Sequence, residues 1–437
     1  MAQAAAGPGR GFDVERGTSF GAPAILVHPE LAARRAGAAR TLEGRLAELE
    51  GLARAIRLDV RATLALGVRV PHPATLLGRG QVARLATLVA AHGAELVVVD
   101  APVTPVQQKN LEQALAAKVI DRTHLILEIF GERARSAEGR LQVELAHLEY
   151  QAGRLVRAWT HLERQRGGFG FLGGPGETQI ETDRRLIRNR IARIRRELEA
   201  VRRTRALHRA GRRRAAVPTV ALVGYTNAGK STLFNRLTGA GVWAADLPFA
   251  TLDPTARRLR LPTAGPVVLS DTVGFISDLP TELVAAFRAT LEEVTEADLV
   301  LHVRDIAHPE SAAQAADVRA VLTSLGVLGG DRPVPVLEVW NKVDLLAPEA
   351  RQALTARPDA FRVSARTGEG IDALVQELDR RLATSAATEV FHLHPADGRR
   401  RAWLHAHAEV LDEREEKGMC LVRARISPAA RARFSAL

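Results

Sequence analysis

The stretch GYTNAGKSTLFNRL, which begins at Gly224, constrains this chain more than any other. An apolar run precedes it and amphipathic residues follow it, a pattern that predicts a strand, a tight loop and the first turns of a helix. Residues 224–231 have the spacing G-x-x-x-x-G-K-S, in which backbone N–H groups surround a β-phosphate, the lysine reaches the β and γ oxygens and the serine binds Mg²⁺. The sequence therefore predicts a P-loop nucleotide-binding domain built around Lys230 and Ser231.

Two further segments complete a predicted phosphate and magnesium site. The strand VVLSDTVG places Asp271 and Gly274 at its end, where an aspartate commonly holds Mg²⁺ through a water and a glycine N–H contacts the γ-phosphate. The segment FATLDPT, residues 249–255, lies between the two loops and offers Thr251 and Thr255 as a magnesium ligand. From these residues alone, both threonines remain candidates.

The predicted base is guanine. The motif NKVD ends in Asp344, whose carboxylate can accept hydrogen bonds from the N1–H and the exocyclic amine of guanine, a pair of donors that adenine does not offer. The segment FRVSARTGEG supplies Ser364 and Ala365, in a loop whose backbone N–H can donate to guanine O6. Four such elements in this order, each at the end of a predicted strand, favour a GTPase over a coincidence of letters.

The charge of the chain indicates a polyanionic partner. The 437 residues carry a net charge of +11 with a pI near 10.8, which favours nucleic acid or an acidic membrane surface. Between Arg184 and Arg214 there are 14 arginines and two glutamates, so a helix here would be strongly basic. We expect it to contact RNA or DNA phosphates. A solvated face is the alternative, because Glu144, Glu149 and Glu163 of the preceding helix could neutralise part of this charge.

Cysteine content and hydropathy argue against a disulfide-bonded, a cysteine-zinc, a secreted or a membrane-spanning protein. A single cysteine, Cys420, allows no internal disulfide and no cysteine-based zinc site, which fits a reducing cytosol. No apolar signal segment begins the sequence, and no apolar stretch reaches the roughly 18 residues of a membrane span. We therefore expect a cytoplasmic protein.

The fold class is predicted to be α/β, with four parts. Strands alternating with helices predict a mainly parallel α/β domain at residues 1–139. Apolar positions spaced by three and four, beginning at Leu141 and again at Ile187, predict two long antiparallel helices over 140–214. The glycine-rich RGGFGFLGGPGETQIETD is predicted to be their loop, with Thr182 and Asp183 capping the second helix. The P-loop domain is expected at 215–384 and a small α+β domain at 385–437.

Taken together, these motifs resemble the HflX family, part of the Obg-HflX group of translational GTPases. The resemblance covers nearly the whole chain and rests on VIDRTHLILEIFGERARSAEGRLQVELAHLEY, GGPGETQIETDRRLIR, GYTNAGKSTLFN, FATLDPT, DTVGFI and NKVD. It implies that the threonine of FATLD, Thr251, binds Mg²⁺. It also implies an N-terminal part that docks on the large ribosomal subunit, with the glycine-rich tip directed at the RNA core near the peptidyl transferase centre. Splitting of stalled or idle ribosomes under stress, and in some members ATP-dependent RNA remodelling, are the implied activities.

The expected site residues come from the motifs and from this resemblance. Contacts with GTP or GDP are expected from Gly224, Tyr225, Thr226, Asn227, Ala228, Gly229, Lys230, Ser231, Phe249, Ala250, Thr251, Leu252, Asp253, Asp271, Thr272, Val273, Gly274, Asn341, Lys342, Val343, Asp344, Ser364, Ala365 and Arg366. Lys230, Thr251 and Gly274 are assigned to catalysis, and Ser231, Thr251 and Asp271 to Mg²⁺. RNA contacts are assigned to Gly174, Pro175, Gly176, Arg184, Arg185, Arg188, Arg195 and Arg202.

Phe275 stands where many GTPases have a glutamine that orients the attacking water. A phenyl ring cannot hydrogen-bond a water, so one interpretation is slow hydrolysis that another loop or a partner must complete. The other is that Phe275 packs beneath the phosphate loop, and both can hold. Asn227 either binds a K⁺ ion beside the β and γ phosphates or stabilises the loop by local hydrogen bonds. Arg257 and Arg258, expected on a strand, are weaker candidates for an arginine finger.

The sequence leaves four functions open. The first hypothesis is a monomeric GTPase that binds the ribosome, chiefly the large subunit and its rRNA, and dissociates or rescues ribosomes; a loose membrane association stays open. A large-subunit assembly GTPase is the main rival. An ATP-driven RNA-remodelling enzyme is disfavoured by NKVD. The last is an RNA-binding scaffold with negligible turnover, which Phe275 favours.

Overall fold

The computed structural model describes residues 21–31, 40–165, 175–214, 217–243, 247–278, 288–330, 333–354, 359–383, 387–416, 418–426, 431 and 434–435. These residues form two compact units. One lies within 1–132 and 150–180, and the other lies within 133–149 and 181–437.

The first unit is built on a four-stranded parallel sheet with the strand order β2-β1-β3-β4. Its elements are β1 (Pro23–Leu31), α1 (Leu42–Ala55), β2 (Asp59–Val68), α2 (Arg79–His92), β3 (Leu96–Val99), α3 (Pro105–Leu115), β4 (Lys118–Asp121) and α4 (Arg122–Arg133). Strand β3, with the sequence LVVV, is buried at every position, as expected for a parallel sheet covered by helices. The predicted N-terminal α/β sheet is confirmed.

Two long helices follow, α5 (Ala137–Gln165) and α6 (Pro175–Arg214). The helical pair is confirmed, but the prediction of a loop through residue 183, with caps at Thr182 and Asp183, is wrong because residues 175–183 are helical. Pro175 accounts for the earlier start, since a first helical position needs no N–H and suits the fixed φ of proline. Gly174 and the rest of 166–174 lie outside the described residues.

The nucleotide motifs lie on a six-stranded sheet of the second unit, in the order β10-β9-β8-β5-β7-β6. All neighbouring strands are parallel except β6 and β7. Its elements are β5 (Thr219–Gly224), α7 (Lys230–Thr238), β6 (Thr255–Leu261), β7 (Gly265–Asp271), α8 (Arg288–Thr295), β8 (Leu299–Asp305), α9 (Ser311–Ser324), β9 (Val336–Asn341), α10 (Pro348–Ala353), β10 (Ala360–Arg362) and α11 (Ile371–Ala383). Because parallel strands end at the same edge of a sheet, Gly224, Asp271 and Asn341 meet there.

A three-stranded antiparallel sheet, in the order β11-β13-β12, makes the last part. Its elements are β11 (Ala387–Leu393), α12 (Gly398–His407), β12 (Glu409–Glu416) and β13 (Met419–Ile426). Leu404 of α12 and Val422 of β13 belong to its small apolar core. The predicted α+β arrangement is confirmed. No helix within the described residues combines the length and the apolar character that crossing a membrane requires.

Candidate nucleotide-binding site

Two glycines shape the phosphate loop between β5 and α7. A Cβ on Gly224 would lie 2.2 Å from the Val303 carbonyl oxygen, and one on Gly229 would lie 2.2 Å from Asn341 Nδ2. Gly229 also has a φ of +90°, a conformation that side chains rarely adopt. The spacing of glycines in the motif therefore has a steric cause on both sides of the loop.

Lys230, the first residue of α7, is buried and folds back over the loop. Its Nζ donates hydrogen bonds to the carbonyl oxygens of Gly224 (3.2 Å) and Tyr225 (2.9 Å). Burial lowers the pKa of Lys230 to about 8, against the attraction of Asp271, which acts in the opposite direction. Because burial disfavours the charged form, this ammonium gains most from an anionic phosphate placed beside it.

Three side chains whose oxygen atoms can bind a metal ion converge beside Lys230. Ser231 Oγ lies 2.7 Å from both Thr251 Oγ1 and Asp271 Oδ2, and Thr251 donates to the same Asp271 oxygen at 3.2 Å. Burial raises the pKa of Asp271, although Lys230, Ser231 and Thr251 pull it down. Asp271 Oδ1 is buried and makes no well-formed hydrogen bond to the residues that the structure describes. Two hydroxyls and a carboxylate with a spare buried oxygen fit a hard cation such as Mg²⁺.

The DTVGF loop lies directly against the phosphate loop. Phe275 N–H donates to the Gly224 carbonyl (3.0 Å), and Thr226 N–H donates to the Phe275 carbonyl (2.7 Å). Phe275 is buried at 4% exposure, and a Cβ on Gly274 would lie 2.8 Å from Thr226 Cα and 3.0 Å from Lys230 Nζ. The backbone of this loop is therefore coupled to the phosphate loop, and the phenyl ring faces protein rather than solvent.

Asn341 joins the guanine motif to the phosphate loop. Its Nδ2 donates to the Ala228 carbonyl and its Oδ1 accepts from Ala365 N–H, both at 2.9 Å. Asp344 follows on a short 3-10 turn, Val343–Leu345, and is half-buried. Lys342, at a φ of +65°, pairs with Asp305 at 2.7 Å. The sheet edge thus brings NKVD, the Ala365 loop and the phosphate loop together.

The segment 247–251 completes a pocket with the phosphate loop and the DTVG loop. Its lining residues are Thr226, Asn227, Gly229, Lys230, Ser231, Thr232, Leu247, Phe249, Ala250, Thr251, Thr272 and Gly274. Phe249 and Leu252 are largely buried side chains. Asp253 does not face the pocket, because its carboxylate is hydrogen-bonded to Ser136.

Two residues that were not among the expected site residues, Arg236 and Ser136, organise this region. Arg236 of α7 donates from Nε to the Ala365 carbonyl (3.1 Å) and from a terminal nitrogen to the Arg366 carbonyl. Ser136 holds Asp253. Both contacts join residues more than 100 positions apart, and no local pattern marks them.

The arginines assigned to RNA differ in their surroundings. Arg195 pairs with Glu149 at 2.8 Å, and Arg202 approaches Glu199 at 3.9 Å. Arg184, Arg185 and Arg188 have no acidic partner among the side chains that the structure describes. Glu144 of α5 also neutralises Arg190, with which it pairs at 2.6 Å. Among the side chains that the structure describes, Arg184, Arg185 and Arg188 therefore form an unpaired basic surface in the first part of α6.

Three family profiles match the chain. They are the GTP-binding GTPase N-terminal region over residues 43–131, the GTP-binding GTPase middle region over 133–212, and the 50S ribosome-binding GTPase over 219–342.

Curated relatives match over most of their length. GTPase HflX of Magnetococcus marinus is 51% identical over 392 residues, which cover 89% of this chain and 89% of the relative. GTPase HflX of Escherichia coli K12 is 48% identical over 360 residues, covering 82% and 83%. Among solved structures, a GTP-binding protein from Sulfolobus solfataricus in complex with GDP has a TM-score of 0.42 and 21% identity, covering 82% of this chain and 98% of that one.

Proposed function

The chain belongs to the HflX family of GTPases, and from this membership we propose that it is a cytoplasmic, monomeric ribosome factor. In its GTP-bound state it binds the large ribosomal subunit and dissociates or rescues stalled or idle ribosomes. The observation that carries the proposal is the combination, in one chain, of a guanine-nucleotide site with the unpaired basic surface at the start of α6. The match of residues 219–342 to a 50S ribosome-binding GTPase profile supports the ribosome as the partner.

Hydrolysis in P-loop GTPases depends on positioning and on electrostatic stabilisation of the transferred phosphoryl group. Mg²⁺, which such enzymes generally use, would neutralise negative charge on the phosphates when bound. We assign its ligands to Ser231, Thr251 and, through a water, Asp271. Lys230 exchanges its two carbonyl partners for phosphate oxygens, and the N–H of Gly274 donates to the γ-phosphate.

The guanine base is read at the other end of the site. Asp344 accepts from N1–H and the exocyclic amine, while a backbone N–H of the loop formed by Ser364, Ala365 and Arg366 donates to O6. Arg236 supports this loop by holding two of its carbonyl oxygens. Asn341 keeps the base-reading and phosphate-binding loops in a fixed relation.

Hydrolysis is slow in isolation, because the buried Phe275 cannot orient water. The ribosome completes the site, so that GTP persists until the particle is bound. Asn227 has a φ of +61°, a loop conformation that asparagine tolerates better than most residues. We propose that it holds a K⁺ ion whose charge substitutes for an arginine finger.

Contact with rRNA involves the tip residues Gly174, Pro175 and Gly176 and the basic start of α6. Arg184, Arg185 and Arg188 provide the main phosphate contacts. Arg195 and Arg202 contribute less, since an RNA phosphate would have to compete with Glu149 and Glu199 for them.

Sedimentation of the purified chain with ribosomes tests this function. With a non-hydrolysable GTP analogue, we expect the chain to migrate with large subunits and assembled ribosomes to separate, and with GDP we expect neither. Binding only to immature large subunits would indicate an assembly GTPase, and dependence on ATP would indicate an RNA-remodelling enzyme. Binding that is independent of nucleotide would indicate a scaffold.

A further inference from the structure

Asp253, two residues after Thr251, caps the first turn of α5. Its Oδ2 accepts hydrogen bonds from the backbone N–H groups of Arg135 (2.9 Å) and Ser136 (2.8 Å), and its Oδ1 accepts one from Ser136 Oγ. Ser136 Oγ in turn accepts from Gly139 N–H at 2.8 Å, which makes Ser136 the N-cap of the helix. The carboxylate therefore lies where unpaired N–H groups and the helix dipole favour negative charge.

Thr251, the proposed magnesium ligand, lies at the other end of the three-residue segment 251–253. Thr251 lies within hydrogen-bonding distance of Ser231 (2.7 Å) and Asp271 (3.2 Å), and the intervening Leu252 is buried at 6% exposure. Consecutive Cα atoms are only about 3.8 Å apart, so a displacement at one end of three residues is transmitted to the other. The position of Thr251 and the start of α5 are thus linked through a single buried residue.

A second contact joins the residues just before α5 to the part of the chain that precedes Thr251. The Arg133 guanidinium lies 4.9 Å from the centre of the Trp243 ring. Arg133 ends α4 just before Ser136, and Trp243 precedes the FATLDPT segment. Residues 133–149 also group with 181–437 in one compact unit. The junction between α4 and α5 is therefore part of the surroundings of the nucleotide site.

We propose that Ser136 and the first turn of α5 are positioning elements for Thr251 in GTP hydrolysis. They hold Asp253 so that Thr251 stays beside Ser231 and Asp271. The inference rests on the proposed role of Thr251 as a magnesium ligand. Because coupling between two sites is reciprocal, Mg²⁺ and GTP bound at Thr251 also favour the capped arrangement at the start of α5.

The test is Gly139→Ala in the full chain. An alanine Cβ at this position would lie 2.3 Å from Asp253 Oδ1 and 3.0 Å from Ser136 Oγ, so the carboxylate has to shift from its present position. Alanine is a better helix former than glycine, and the atoms it meets are ends of side chains, so α5 itself is not weakened. Gly153→Ala on the same helix is the matched control, because a Cβ there meets none of the described atoms within 4 Å.

The measurement is single-turnover GTP hydrolysis at increasing Mg²⁺ concentration, together with GDP affinity. We expect Gly139→Ala to raise the Mg²⁺ concentration for half-maximal hydrolysis about tenfold, as removal of a group that supports a metal ligand commonly does. GDP affinity should stay unchanged, since the phosphate and guanine loops are intact. Ser136→Ala should shift the Mg²⁺ dependence in the same direction, and Ser136→Thr, which keeps the hydroxyl, should restore it.

Thr251→Ala distinguishes a failure of the metal assignment from a failure of the positioning role alone. If Thr251→Ala shifts the Mg²⁺ dependence while Gly139→Ala behaves as Gly153→Ala does, the positioning role is overturned and the metal assignment stands. If Thr251→Ala leaves the Mg²⁺ dependence unchanged, the metal assignment fails and the positioning role fails with it. A purely structural cap at Ser136 would lower thermal stability without moving the Mg²⁺ dependence, which would also overturn the proposal.

Discussion

Asn341 donates a 2.9 Å hydrogen bond from Nδ2 to the Ala228 carbonyl, across the gap between the guanine motif and the phosphate loop. Asn341 is almost fully buried, and its Oδ1 accepts from Ala365 N–H. One amide therefore spans three loops that come from separate parts of the sequence. Its contacts are with backbone groups, so its contribution is to the geometry of the site rather than to the choice of base.

We expect Asn341→Ala to weaken GTP and GDP binding by a similar factor, about ten- to a hundredfold. The substitution leaves a buried carbonyl and a buried N–H without their partner, at a cost of about 1–3 kcal/mol. Isothermal titration with both nucleotides measures this. A loss confined to GTP would contradict it, because the contact lies away from the γ-phosphate position.

Asp344→Asn should change the choice of base. The amide of the variant would face the amine of guanine with a donor rather than an acceptor, whereas xanthine offers a carbonyl there. We expect GTP affinity to fall by about two orders of magnitude and xanthosine triphosphate to compete better than GTP. A competition assay that finds unchanged guanine preference would remove the assignment.

Hydrolysis should be faster in potassium than in sodium at equal ionic strength. A K⁺ ion held by Asn227 would place positive charge beside the β and γ phosphates as charge develops there, and one such group is worth about tenfold or more in rate. Asn227→Ala should abolish the difference between the two salts. Equal rates in both salts for the unmodified chain would leave Asn227 with a local structural role only.

His302 on β8 should make the chain sensitive to acid. Burial lowers the pKa of His302 to about 4, against the attraction of Glu338. The unfolded chain, with a histidine pKa near 6.5, therefore binds the proton first as the pH falls, and stability is lost from about pH 6.5 down to about pH 4. Between pH 7 and pH 5 this amounts to about 2 kcal/mol of the free energy of unfolding.

Urea unfolding of His302→Gln and of His394→Gln at the two pH values checks this. His394 is exposed and serves as the control. The difference between pH 7 and pH 5 should shrink in the first variant and stay unchanged in the second. An equal pH dependence in both variants would mean that the acid sensitivity originates elsewhere.

The motifs were predictable because strict backbone geometry dictates their residues. Gly224 and Gly229 leave no room for a Cβ. Ser231 and Asp271 meet because β5 and β7 end at the same edge of the sheet. Alternation of strands and helices was sufficient for the N-terminal sheet. The start of α6 was not predictable from glycine content, because the proline between two glycines favours a first helical position.

Contacts between distant residues were not predictable in this way. Ser136 meets Asp253 and Arg236 meets Ala365 only after the chain has folded, and a serine or an arginine has no local signature for such a role. Neutralisation by Glu144 and Glu149 was expected from the sequence, but their pairing with Arg190 and Arg195 in particular depends on how α5 and α6 pack. Charge counted along a helix therefore overestimated the surface left for RNA.

The basic surface can be tested against a matched set of arginines. Replacing Arg184, Arg185 and Arg188 with glutamine should weaken large-subunit binding more than the same change at the acid-paired Arg193, Arg195 and Arg202. The salt dependence should also fall, with a slope reduced by roughly 0.7–0.9 for each RNA phosphate that the variant no longer neutralises. Equally weakened binding in the two sets would mean that total charge, and not this surface, determines affinity.

The most direct test of the account is the single-turnover rate of GTP hydrolysis with and without large ribosomal subunits. If the buried Phe275 leaves the site incomplete until the particle binds, saturating large subunits should raise the rate at least about tenfold, and small subunits should not. The stimulation should require higher subunit concentrations when Arg184, Arg185 and Arg188 are replaced, while the rate without subunits stays the same. A rate that does not change at saturating large subunits would contradict the proposal that this GTPase is completed by the ribosome.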